Sequence, residues 1–236
     1  MGIFIVFEGG EGSGKSTQAR LLYGLLLQEG RSSVLLHVPG GTSAGDQIRR
    51  ILKSQHGESQ KSQRGKRKSS LSPMTELLLF SAARAELVNQ TLIPALKEER
   101  VVVCDRYTAS TIAYQGYGRG LPLDLIQQLN RVTTQGNDPS LVVLLNIDPE
   151  KGLSRVQAQG AMLFDEGVGS SPGRMDEEGL RRFEEESVEF HQRVREGYLE
   201  LAKEEPERWL VVDATLPRER VAELIWQRVE PLLKAQ

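Results

Sequence analysis

The chain has 236 residues, 39% of them hydrophobic and 26% charged, with a formal net charge of −2. That suits one α/β domain, or at most two small ones, and gives no global pull towards nucleic acid or an anionic membrane. A single cysteine, Cys104, excludes an intramolecular disulfide, and no apolar run approaches the ~20 residues of a membrane span.

The first element is the apolar run Ile3-Phe4-Ile5-Val6-Phe7, a strand and not a signal segment. A reducing, cytoplasmic location is expected, with a plastid-like compartment left open because a transit peptide could already have been removed. The strand leads into Gly9-Gly10-Glu11-Gly12-Ser13-Gly14-Lys15-Ser16-Thr17. This is G-x-x-x-x-G-K-[ST] between a strand and a helix, the setting that makes it a phosphate loop. Glycines let successive N–H groups converge on an anion at a helix N-terminus. Lys15 can reach the β- and γ-phosphates of a nucleotide, and the Ser16 hydroxyl can ligate Mg²⁺.

A helix over residues 15–29 follows, with Ala19, Leu22 and Leu26 on one face and Gly30 as its stop. Residues 34–38 read as a second strand, closed by the turn Pro39-Gly40-Gly41-Thr42, and residues 44–53 as a short helix. Residues 55–70 hold no large apolar side chain and carry Lys61, Arg64, Lys66, Arg67 and Lys68 against Glu58 alone. This basic insertion is expected to be a solvated loop, since no aromatic or motif supports a nucleic-acid contact. A long helix is expected over 75–99, kinked at Pro94. A buried strand over 101–104 ends in Asp105-Arg106. Helix 123–135, strand 141–148, a short helix over 153–158, a glycine-rich irregular stretch over 161–179 and a charged helix over 180–203 come next. Strand 209–213 and a final helix, with Val221, Leu224, Ile225, Val229 and Leu232 on one face, complete the chain.

Five apolar strands alternate with helices, which predicts a parallel sheet covered on both faces. The fold class is therefore α/β, a three-layer phosphate-loop fold, with residues 1–236 forming a single domain. Ligands belong at the carboxyl ends of the strands: residues 8–14, 38–42 and 105–115, Asp148 and Asp213.

Three stretches carry a resemblance. Phe7 to Thr17 resembles the phosphate loop of thymidylate kinases. Asp105-Arg106-Tyr107-Thr108-Ala109-Ser110-Thr111-Ile112-Ala113-Tyr114-Gln115-Gly116 is similar to that family's D-R-Y-x-x-S-x-x-A-Y-Q-G signature, and Phe80-Ser81-Ala82-Ala83-Arg84 to its F-x-A-x-R helix. Pro39-Gly40-Gly41-Thr42 with Ile48-Arg49, Arg182-Phe183-Glu184 and Asp213-Ala214-Thr215 extend the likeness over nearly the whole chain. The resemblance implies a five-stranded sheet, ATP-dependent phosphorylation of dTMP to dTDP, and a homodimer. The chain departs from the bacterial pattern at His37-Val38, where Arg-Glu is common, at Arg181-Arg182, where Asp-Arg is usual, and in its longer 55–70 and 160–182 stretches.

The acceptor would be a phosphate monoester with a second pKa of about 6. Mostly a dianion at neutral pH, it needs no general base; it needs positioning and charge neutralisation. Lys15 and Arg106 are the expected catalytic cations, with Arg182 the lid candidate and Arg174 its rival over a lid at about 160–182. Asp105 either reaches Mg²⁺ through water or orients Arg106. Glu11, an acid inside the loop, is implied by the resemblance to bind the acceptor's 3′-hydroxyl. Arg49 is either a second acceptor-phosphate ligand or a solvated helix arginine. Phe80 is implied to stack on thymine, Arg84 to reach a carbonyl, Thr111 and Gln115 to read the base edge, and Tyr114 to sit beside C2′. Arg155 is expected to stack on adenine, and Asp213-Ala214-Thr215 either form the adenine-side loop or are a plain strand end. The alternatives are a kinase for another nucleoside monophosphate, or a phosphate-loop ATPase or GTPase switch, for which no N-K-x-D or well-placed D-x-x-G signature occurs.

Overall fold

The computed structural model describes residues 2–54, 71–165, 181–184 and 186–234. The 55–70 insertion and most of the expected lid therefore lie outside the described residues. Five strands, β1 (Phe4–Glu8), β2 (Ser33–His37), β3 (Val101–Asp105), β4 (Leu141–Asn146) and β5 (Trp209–Asp213), form one sheet in the order β2-β3-β1-β4-β5. Every pairing is parallel, with Phe7 opposite both Asp105 and Val143.

The central strands are continuously apolar because both of their faces are covered. Ile3, Ile5 and Phe7 pack with Val143 and Leu145 against α1 (Lys15–Gln28) and α10 (Arg218–Lys234). Phe4 and Val6 point the other way, onto Leu87, Val88, Leu92 and Tyr107. A third cluster joins Leu144 to Phe190, Val194 and Tyr198 of α9 (Val188–Glu204). Side chains alternate across a strand, so two sets of apolar residues in one run need two covering layers.

Several helix bounds differ from the sequence expectation. The long helix over 75–99 is α3 (Pro73–Leu87), a π-helical stretch over Val88–Leu92, and α4 (Ile93–Lys97). The wider turn sits directly before Pro94, which has no N–H to donate, so the distortion absorbs the missing bond. α7 runs from Pro149 to Asp165, through the start of the stretch expected to be irregular. The charged helix is interrupted: α8 (Arg181–Glu184) is separate from α9, whose N-cap Ser187 accepts a hydrogen bond from the Phe190 N–H. α2 (Ser43–Ser54), α5 (Thr108–Thr111) and α6 (Leu123–Thr134) complete the helices, with a second π-helical segment, Ile112–Gly118, continuing α5.

Candidate active site

β1 ends at Glu8, and the next residues form the loop. Gly9, Gly12 and Gly14 have φ of 142°, 66° and 90°. Gly12 also has no room for a side chain, because a Cβ there would meet the Gly152 carbonyl oxygen at 2.0 Å. Gly14 is the left-handed N-cap of α1, so the first amides of that helix face the loop. Lys15 lies folded over the loop, with Nζ donating to the Gly10 carbonyl at 2.7 Å and to Ser13 Oγ at 3.3 Å. Burial, followed by the nearby Arg106 charge, pulls its pKa down to about 8.

β3 lies beside β1, so Asp105 and Arg106 meet the loop. The Ser16 hydroxyl donates to Asp105 Oδ2. The other carboxylate oxygen, Oδ1, is buried and has no hydrogen-bond partner among the described residues. A hydroxyl and a carboxylate with an unused oxygen, beside a phosphate loop, are hard oxygen donors of the kind Mg²⁺ takes together with phosphates and water.

Arg106 sits in left-handed backbone at φ 68°. A non-glycine residue there costs about 1–3 kcal/mol and persists only where its surroundings fix it. Here the Arg106 N–H donates to the Phe7 carbonyl at 2.9 Å, and the kink turns the side chain into the loop. Its Nη2 bonds Glu11 Oε1 at 2.9 Å, and its Nη1 reaches the Gly9 carbonyl and Ser110 Oγ, both at 3.3 Å. Burial opposes the Arg106 charge, but the Tyr114 and Tyr198 oxygens and the Glu11 and Asp105 carboxylates outweigh it and raise its pKa. Glu11 also accepts the Tyr114 hydroxyl at 2.7 Å. Burial alone would lift the Glu11 carboxyl; Arg106, Lys15 and Tyr114 hold it below its ordinary value. The acid inside the loop thus has the donors that its position requires.

The acceptor-side residues converge less uniformly. Thr111 and Arg84 are together, but as partners of one another: Arg84 Nη1 donates to Thr111 Oγ1 at 2.7 Å and to the Tyr107 carbonyl at 3.1 Å. Nη2 bonds Asn130 Oδ1 at 2.8 Å and Nε bonds Thr133 Oγ1 at 3.4 Å. The partners that a buried guanidinium needs are thus supplied by four protein acceptors from α5, α6 and the loop after β3. Phe80 is half-buried and packs on Phe183 of α8 at 6.3 Å between ring centroids, while Tyr114 meets Phe183 edge-on at 4.8 Å. Gln115 is buried beside Tyr114 in the π-helical segment. Arg49 donates to the Pro39 carbonyl at 2.9 Å, across the cis Val38–Pro39 turn.

On the far side, Arg155 donates to the Ala214 carbonyl at 2.9 Å, which brings it to the 213–215 loop. Asp213 shapes that loop by accepting the Thr215 N–H at 2.8 Å. Arg182 lies on α8, but its side chain is outside the described part of the chain, as is Arg174.

Several site residues were not singled out from sequence. Glu8, fully buried, accepts the N–H groups of Tyr107 and Ser110 at 2.9 and 3.1 Å, Ser110 Oγ at 2.6 Å and the Tyr198 hydroxyl at 3.0 Å. A lone acid ending a buried strand was its only signal. Arg195 of α9 lines the cleft with Gly10, Glu11 and Asn146, and its Nε holds Asn146 Oδ1 at 2.8 Å. Glu76 and Arg119 surround Gln115 and had no sequence signal.

The chain matches the family model described as thymidylate kinase over residues 7–225. It is 45% identical over 231 residues to the thymidylate kinase of Solidesulfovibrio magneticus, covering 98% of this chain and 100% of the relative. A thymidylate kinase of Dehalococcoides mccartyi is 42% identical over 233 residues, 99% of this chain and 98% of the relative. The crystal structure of thymidylate kinase from Ehrlichia chaffeensis superposes with a TM-score of 0.69 at 29% identity, over 97% of this chain and 98% of that one.

Proposed function

The chain belongs to the thymidylate kinase family, and on that premise we propose how its own residues carry ATP-dependent phosphorylation of dTMP to dTDP. The observation that carries the reading is the junction of the two strand ends. Arg106, kinked out of β3, points its guanidinium at Glu11 and Gly9 of the loop that carries Lys15.

The loop amides and the α1 N-terminus receive the ATP phosphates. Lys15 follows the transferring phosphoryl group, and Arg106 bridges it to the acceptor phosphate, a task suited to a planar fork of donors. The acceptor dianion attacks without a general base, so alignment and charge neutralisation supply the rate. Ser16 and Asp105 would hold Mg²⁺, which when bound neutralises charge on the β- and γ-phosphates. The buried, unpartnered Asp105 Oδ1 supports that assignment. Glu11, held by Arg106 and Tyr114, faces the acceptor's sugar, and Phe80, Thr111, Tyr114 and Gln115 surround the base. Arg84 acts on the base chiefly by fixing Thr111. Arg49 supports the acceptor-phosphate turn, Arg155 covers adenine, and Arg182 closes over ATP.

A homodimer is supported by the family resemblance and by Met74 and Leu78, one turn apart and exposed on α3. Among the described residues no helix is long and apolar enough to cross a membrane. A cytoplasmic location suits the free, buried Cys104. Nucleic acid is not a partner in this reading.

The test is a panel of dTMP, dUMP, UMP, CMP and AMP with ATP and Mg²⁺, followed by ADP release. Acceptor-dependent release greatest with dTMP is expected. Equal use of UMP or CMP would overturn the base assignment, and slow release independent of acceptor would indicate a switch ATPase.

A further inference from the structure

Gln115 is fixed by a neighbour on another helix. Its Nε2 donates to Glu76 Oε1 on α3 at 2.7 Å. Glu76 is fully buried. Arg119 grips the same carboxylate from the end of the π-helical segment, with Nε at 3.4 Å from Oε1 and Nη2 at 3.3 Å from Oε2. The remaining terminal nitrogen, Nη1, bonds Glu186 Oε1 at 2.6 Å, and the guanidinium lies over the rings of Phe183 and Phe190 at 5.7 and 4.8 Å. Burial works against the Arg119 charge, but Glu76 and Glu186 outweigh it.

An ionised carboxylate only accepts hydrogen bonds. The Gln115 amide must therefore turn its nitrogen to Glu76 and its oxygen away. Among the described residues that oxygen has no protein partner, and it is not among the fully buried unpartnered atoms. It is an acceptor left for something else. An imide N3–H, as in thymine, complements it. The N3 lone pair of cytosine opposes it, which makes the arrangement selective against that base as well as for the other.

We infer that Glu76 is a positioning residue that sets the orientation of the Gln115 amide and so selects an acceptor base carrying an N3–H. The inference rests on the proposed dTMP kinase activity. Arg119 holds the carboxylate in place by donating to both of its oxygens. By holding Glu186 as well, it ties this orientation to the segment joining α8 to α9, immediately behind Phe183.

A glutamine at position 76 could donate as well as accept. It would let the Gln115 amide reverse and offer its NH₂ to the base. The experiment compares kcat/KM for dTMP and dCMP in wild-type protein, Glu76→Gln, Glu76→Asp, Gln115→Ala and the Glu76→Gln/Gln115→Ala double variant, with thermal melts of each. The dTMP-to-dCMP ratio should fall about tenfold or more in Glu76→Gln, the scale of one misplaced buried polar group. It should stay within about threefold of wild type in Glu76→Asp, which keeps an acceptor-only partner. In the Gln115→Ala background Glu76→Gln should add nothing, because a residue that acts through another loses its effect when that other is removed. An unchanged ratio in folded Glu76→Gln, or an equal fall with and without Gln115, overturns the inference. Should Glu76→Gln not fold, Arg119→Lys takes its place: it gives up the two-point grip, and a folded variant with the wild-type ratio overturns the inference equally. Wild-type protein that fails to phosphorylate dTMP overturns the underlying activity instead, so the two failures are distinct.

Discussion

Replacing Glu8 gives a calculable loss. Its Oε1 accepts two backbone N–H groups, from Tyr107 and Ser110, and its Oε2 accepts two hydroxyls, from Ser110 and Tyr198. Glu8→Ala leaves both buried amides without an acceptor, and each such group costs about 1–3 kcal/mol. The hydroxyls can rotate elsewhere, so roughly 2–6 kcal/mol of stability should go. At ~2–4 °C per kcal/mol for a chain of this size, the melting temperature should fall by about 4–24 °C. Glu8→Gln is the informative control. A glutamine can keep its carbonyl on the two amides and turn its NH₂ to the hydroxyls, which accept as readily as they donate. Only the charge assistance is lost, so the loss should be about 1–2 kcal/mol. One amide directly follows Arg106 in its strained backbone and the other lies in α5 just beyond it, so turnover in Glu8→Ala, assayed well below its melting point, should fall further than in Glu8→Gln. Urea unfolding and initial rates measure the two quantities. An alanine variant within about 1 kcal/mol of wild type would refute the reasoning, as would a glutamine variant as damaged as alanine.

Lys15→Ala and Arg106→Ala should each lower kcat by orders of magnitude with circular dichroism unchanged, because their contacts strengthen as the phosphoryl group moves; normal turnover in either would remove it from the mechanism. Free Lys15, held near 8, loses its proton above that pH. Phosphates raise its pKa once bound, so kcat/KM for ATP should decline above about pH 8 while kcat stays level to higher pH; parallel declines would place the titration elsewhere. Gly12→Ala should raise KM for ATP sharply, since its Cβ would meet the Gly152 carbonyl at 2.0 Å; an unchanged KM would mean that the loop can shift. Tyr114→Ala should narrow the preference for dTMP over its ribonucleotide counterpart, and a preserved gap would assign ribose exclusion to another group.

What was legible in the sequence was what lies close together along it. The phosphate loop and the 105–116 stretch are each contiguous, so one backbone segment carries all the residues of each motif. Strands were legible because runs such as Val101-Val102-Val103-Cys104 are apolar on both faces. Helix ends were less so. The stretch from 161 was expected to be irregular, yet α7 runs on to Asp165, since a glycine such as Gly160 is tolerated inside a helix. Ser187, ahead of Phe190 and Val194, was a readable N-cap lost within a charged run. Glu8 with Tyr198, and Glu76 with Gln115 and Arg119, were not legible, because the partners stand on different elements: the first pair meets only when α9 packs on the sheet, the second group only when α3 packs on the π-helical segment. Arg84 was legible within the F-x-A-x-R helix, but its protein partners Tyr107, Thr111, Asn130 and Thr133 stand on other elements and were not.

The charge balance of the cleft bears on how such a site works. Among the described residues where the strand ends meet the loop, Lys15, Arg106 and Arg195 stand against Glu8, Glu11 and Asp105, a formally balanced set. Two phosphate-bearing substrates bring several negative charges into a space where like charges interact strongly. The loop amides and the α1 N-terminus supply about half an elementary charge, which is far too little. The remainder must arrive with the substrates or on moving parts. Mg²⁺ on Ser16 and Asp105 and an arginine carried on α8 are the two proposed sources, one bound with ATP and one brought by closure. Arg106 needs no new charge, only a new partner. The oxygens of an acceptor phosphate can compete for the guanidinium that Glu11 now holds, and Glu11 stays anchored through Tyr114. If these neutralising charges assemble only once both substrates are bound, the phosphoryl group is poised for transfer when its acceptor is in place and not to water beforehand.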